Sequence, residues 1–154
     1  MVVECALTMA EQRSNDSMLE MVNLLLEAAR YAEIEDIKSL VSSGVSLDSK
    51  DSQGRTALHM ASANGHLDVV KYLIGSKVDV NASNEEKNTP LHWACLNGHI
   101  EVVKSLILAG ASVSALNIHE KTPLDEALIA RKLEIVDAIN QAVIEFELQR
   151  ATVS

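Results

Sequence analysis

Apolar residues along this chain come in short paired bursts at helical spacing, separated by polar stretches of nearly constant length. In the clearest pair, Leu58, Ala61 and the small Ser62 are followed by Val69, Val70 and Leu73. Residues three and four apart are neighbours on a helical surface, so each burst forms one buried face. The two bursts return as Leu91, Ala94 and Cys95, then Val102, Val103 and Leu106. The pattern predicts a short first helix per unit and a second running from Leu67 to about Ile74 and from Ile100 to about Leu108. The small residues of the first burst let a neighbouring helix approach closely.

The polar positions repeat with the same offset of 33 residues. Thr56, His59, Asn64, Gly65 and His66 recur as Thr89, His92, Asn97, Gly98 and His99, followed by an acid at Asp68 or Glu101. A threonine ahead of an apolar run N-caps a helix, and Pro90 and Pro123 stand at the next position, where the missing N–H costs nothing. Gly65 and Gly98 end the first helices in the left-handed conformation, and Gly44 and Gly110 close two of the second ones. Polar stretches 45–55, 78–88 and 111–121 read as long turns. Two worn copies extend the period: Asn23, Leu25, Ala28, Ile34, Ile37 and Leu40 behind, and Thr122, Pro123, Leu124, Ala127, Leu133, Ile135 and Val136 ahead. A period of this size signals stacked repeats.

The segments beginning at Thr89-Pro90-Leu91-His92-Trp93-Ala94 and Asn97-Gly98-His99-Ile100 closely resemble the ankyrin repeat. The resemblance implies an all-α solenoid of four helix-turn-helix units with hairpin-like connecting fingers, bounded near 18–50, 51–83, 84–116 and 117–149. Residues 1–16 are expected to form a mobile leader or a short docked helix, and residues 150–154 a frayed tail. The chain departs from the pattern at Ala57 in place of proline, at Lys77 in place of glycine, and at Asp125, Arg131 and Lys132. Lys77 in a left-handed position is expected to be mildly strained. Within the family, the paired segments at Thr56 and Thr89 are similar to a small acidic yeast chaperone that escorts a KH-domain protein of the small ribosomal subunit.

Charge narrows the partner class. A net charge of -9 argues against direct nucleic-acid binding, which usually uses a basic stripe. It suits a basic protein partner, although acidity also keeps a repeat protein soluble. No stretch approaches the roughly 18 apolar residues of a membrane span. The two cysteines, Cys5 and Cys95, point to a reducing compartment, the cytoplasm or nucleus, rather than to a disulfide framework. A monomer is expected.

No constellation for catalysis, cofactor or metal emerges. His92 and Cys95 superficially resemble a ligand pair, but zinc needs four converging ligands. The resemblance instead gives His59 and His92 the role of tying repeat to repeat. It also places Glu27, Met60, Trp93 and Glu126 side by side on a concave wall. Trp93 and Met60 form either a half-buried seam or an apolar anchor between flanking glutamates. Arg30, Tyr31, Asn64, Leu96 and Asn97 extend the strip, with the two asparagines also readable as helix-end residues. The fingertips add Arg55, then Glu85, Glu86 and Asn88, then Ile118, His119 and Lys121. The expected function is non-enzymatic recognition of a protein, possible roles being escort of a basic ribosomal protein or service as an adaptor or inhibitory subunit in signalling or degradation. The longer last helix, carrying Val143, Phe146 and Leu148, reads either as a cap or as a second docking patch.

Overall fold

The computed structural model describes the backbone of residues 2–153 and the side chains of residues 15–152. Eight helices follow in order: α1 (Val2–Arg30), α2 (Ile34–Ser42), α3 (Ala57–Ala63), α4 (Leu67–Gly75), α5 (Pro90–Asn97), α6 (Ile100–Leu108), α7 (Pro123–Ile129) and α8 (Leu133–Val153). No strand occurs among the described residues. Each odd helix pairs with the even one after it. The odd helices stack in an inner row, α3 between α1 and α5, and α5 against α7; α4, α6 and α8 form the outer row behind them. The result is the expected four-unit all-α solenoid.

Thr56, Thr89 and Thr122 are extended and cap α3, α5 and α7 through their hydroxyls. His59, His92 and Asp125 complete each capping box by accepting from the threonine N–H, at 3.1, 3.1 and 2.9 Å. The imidazoles then do what a carboxylate cannot. Nε2 of His59 donates to the Asn88 carbonyl at 2.8 Å, and Nε2 of His92 to that of Lys121 at 2.9 Å, so each cap also ties its unit to the next. Asp125 closes its own box but has no N–H to hand on.

Left-handed residues occupy three positions of the period. Ala32, Gly65, Gly98 and Arg131 follow the inner helices, Gly44, Lys77 and Gly110 follow three outer helices, and Gly54, Lys87 and Glu120 turn the fingers. After the helices the reversal lets the next N–H reach back to an orphan carbonyl, as from His66 to Ala61 and from Val78 to Leu73. At Gly65 a further constraint operates, because a Cβ there would lie 2.5 Å from the His99 ring. Lys77 has φ 66°, as its strained position implied. Lys77→Gly is expected to stabilise the fold by about 1 kcal/mol by relieving left-handed strain, read as a raised urea midpoint.

Core positions also recur by register. Ala28, Ala61, Ala94 and Ala127 form the close seam of the inner row, and Val69, Val102 and Ile135 fill the matching position of the outer row. The backbone is helical from Val2, and α8 runs on past residue 150 to Val153. The side chains of residues 1–14, over which the leader was placed, lie outside the described residues.

Candidate recognition groove

The fingers are built alike. Asp51, Asn84 and Asn117 each close a turn by donating a backbone N–H to the carbonyl four residues on, at 3.0 Å in all three. Their side-chain oxygens accept two more N–H groups within the same turn: Gln53 and Arg55, Glu86 and Asn88, His119 and Lys121. Adjacent fingers are joined by the N–H of Glu85 donating to Gln53 and that of Ile118 to Glu86, both at 3.0 Å. Asp51, Asn84 and Asn117 were not among the residues singled out from sequence, although an Asp or Asn at the 33-residue spacing was there to be seen.

Trp93 rises from α5 beside this rigid row. It is half-buried, with its ring edge-on to His59 at 5.2 Å and 70°. With Gln53, Arg55, Asn84, Glu85 and Glu86 it lines an open groove of about 350 Å³. The two glutamates are exposed, while Arg55 is held by Asp51 at 2.7 Å. The groove thus offers one aromatic face and two free carboxylates, and its position is set by backbone hydrogen bonds.

Other residues of the strip are placed differently. Met60 is only 3% exposed and belongs to the core, so it cannot serve as an anchor. The Arg30 guanidinium covers it, 3.5 Å from its sulfur. Asn117 holds Asn88 at 3.0 Å and Glu126 at 2.9 Å, so both serve the scaffold. Asn64 bonds the Met60 carbonyl of its own helix, the helix-end role, whereas Asn97 donates to the Ala63 carbonyl of the preceding unit and so ties two units together. Glu27, Arg30, Tyr31, Leu96, Ile118, His119 and Lys121 are exposed. The structure therefore gathers Trp93, Arg55, Glu85 and Glu86 into one groove and leaves Glu27 and Tyr31 at the amino-terminal end.

Cys95 is buried, which pushes its thiol up to about 12, a poor nucleophile. Among the described residues no three His, Cys, Asp or Glu side chains converge as a metal would require, and no helix is long and apolar enough to cross a membrane.

The stacked capping boxes, left-handed helix ends and linked fingers define a repeat module, and comparison with known families agrees. A family model described as "Ankyrin repeats (3 copies)" matches residues 4–84, 24–117 and 78–149, and the chain belongs to this family of protein–protein interaction modules. Among curated proteins, it is similar to Acyl-CoA-binding domain-containing protein 1 of Arabidopsis thaliana, 31% identical over 42% of this chain and 18% of that protein. Acyl-CoA-binding domain-containing protein 4 of Oryza sativa subsp. japonica is 40% identical over 38% of this chain and 16% of its own length. The chain thus spans less than a fifth of these relatives.

Proposed function

We propose that this chain is a non-enzymatic recognition module that binds a basic protein segment in the groove beside Trp93. The observation that carries the reading is a half-buried tryptophan on a preformed floor with the carboxylates of Glu85 and Glu86 at its rim. Tryptophan in a partly open pocket is a frequent hot spot, and a floor fixed by backbone bonds needs little ordering on binding. The net charge of -9 adds steering toward a basic partner. Escort of a basic ribosomal protein, by a monomer in the cytoplasm or nucleus, is the finer form of this reading. It rests on the sequence likeness and the charge. The acyl-CoA binding named for the relatives is not carried over, because the aligned segments are short parts of those proteins and a phosphate-bearing ligand meets a strongly acidic chain.

Trp93→Ala is expected to weaken partner binding by about 2 kcal/mol, roughly thirtyfold. Because Trp93 also touches His59, the exposed pair Glu85→Lys/Glu86→Lys gives a variant with little folding cost. Capture from lysate at ~50 and ~300 mM salt should show proteins retained by wild type, lost from both variants and released by salt. Retention by both variants would remove the groove from the binding surface.

A further inference from the structure

The first unit presents a surface that its counterparts hide. Asp36 occupies the position filled by Val69, Val102 and Ile135, each at most 1% exposed, and Glu33 the position of His66 and His99. In the later units this face meets the preceding unit, as the bond from His66 to the Arg30 carbonyl shows. In the first unit no described residue stacks on it.

A polar end face is what a terminal repeat needs for solubility, but this one is not simply polar. Leu24 is 52% exposed and Tyr31 61%, and with Leu40 they floor a groove of about 490 Å³ between α1 and α2. Glu27, Glu33 and Asp36 stand along it. Glu33 and Asp36 also line an adjoining hollow of about 560 Å³, to which Glu35 and Asp68 contribute. Three carboxylates therefore stand along the apolar floor, and Glu35 and Asp68 add two more at the adjoining hollow. The one ion pair among them joins Lys38 to Glu35, 3.7 Å apart and exposed. A hydrogen bond with Asp36, then partial desolvation, then repulsion from Asp36 and Glu27 push the Glu33 carboxyl above its ordinary range, a sign of crowded negative charge.

We propose that the groove between α1 and α2 at the amino-terminal end of the stack is a second docking surface, taking a basic amphipathic protein segment. Its apolar side chains lie on Leu24, Tyr31 and Leu40, and its lysines or arginines face Glu27, Glu33 and Asp36. Charge complementarity selects this occupant over a second copy of the chain, since each copy carries -9. The surface is separate from the groove at Trp93 and does not depend on it.

The test is a titration of the isotopically labelled full chain with a short helical peptide bearing lysines on one face and leucines on the other, followed by amide chemical shifts. A second peptide with glutamates in place of the lysines is the comparison. The basic peptide should shift amides across residues 24–40, and the acidic one should not bind. Glu33→Lys/Asp36→Lys should weaken the binding that shifts residues 24–40 at least ~tenfold at low salt, and Glu33→Gln/Asp36→Asn by less. These positions are exposed, so the fold is expected to survive, checked by the unchanged amide pattern elsewhere. Equal affinity for the charge-reversed chain, shifts centred on residues 85–93 instead, absence of binding, or concentration-dependent self-association through this face would each overturn the proposal. Loss of the site at Trp93 alone would leave it standing.

Discussion

His59→Ala should destabilise the fold by about 4 kcal/mol, seen as a large drop in the urea midpoint. The ring is fully buried, and three groups depend on it: the Thr56 N–H, the Thr56 hydroxyl at 3.0 Å and the Asn88 carbonyl at 2.8 Å. Alanine leaves these polar groups without their partner in a site closed to water and opens a cavity against Trp93. Either defect alone costs on the order of 1–3 kcal/mol, and here they coincide. Because the lost bond joins the second unit to the third, the variant should also unfold less cooperatively, with a shallower transition. His59→Gln, which retains an amide acceptor and donor, should recover part of the loss. Equal stability of the alanine variant and wild type would show that the stitch between units carries little.

The second large effect is acid sensitivity above the usual carboxylate range. Burial lowers the His59 imidazole to about 4, the Asn88 carbonyl opposing that shift while Lys50 and Arg55 add to it. Burial also lowers His92, against its bond to Lys121. A group whose folded pKa is depressed contributes fully above its unfolded value of 6.5, and that contribution is lost as pH falls toward the folded value. Below pH 6.5 the unfolded chain takes up a proton at His59 that the folded chain refuses until about pH 4. The lost stability is about 3 kcal/mol from His59, with His92 acting in the same direction. Asp51 and Asp125 act at lower pH. For Asp51 burial works upward, but its hydrogen bonds from Arg55 and Gln53 and the Arg55 charge prevail, so its carboxyl stays below the usual value. Asp125 is lowered by its bonds from Thr122. Stability measured by urea unfolding should therefore begin to fall below pH 6.5, and His59→Gln should flatten that first decline. A flat profile from pH 6.5 to 4 would contradict the buried, neutral imidazoles.

Much of the scaffold could be read in the residues. Thr56, Thr89 and Thr122 marked the caps, Gly65 and Gly98 the helix ends, and the recurring His59 and His92 the ties between units. These are local chemistry repeated at fixed spacing, and in a solenoid local chemistry nearly determines the fold, because every unit meets only its neighbours. Three non-glycine left-handed residues escaped notice, Ala32, Lys87 and Glu120, while Arg131 was noted only as a departure from the repeat. Residue preference alone does not require the conformation there, and the geometry of the repeat imposes it. Some departures from the repeat were visible but their consequence was not. Asp125 closes a cap as well as histidine does, which the distances show.

The candidate site was less legible, for a physical reason visible in one pair of residues. Met60 and Trp93 stand at the same position of successive units, so sequence gave them the same role. Arg30 covers Met60, whereas the residue 33 positions later, Ala63, has no long side chain to lay over Trp93. One became core and the other the wall of a groove. The amino-acid sequence by itself determined the period, the caps, the turns and hence the stack, since these follow from interactions within a unit or between identical neighbours. Tertiary structure alone decided which side chains of the inner strip stayed open and that an acidic, apolar-floored groove remains at the first unit. Exposure depends on what the adjoining unit lays across a residue, and that is a property of the pair.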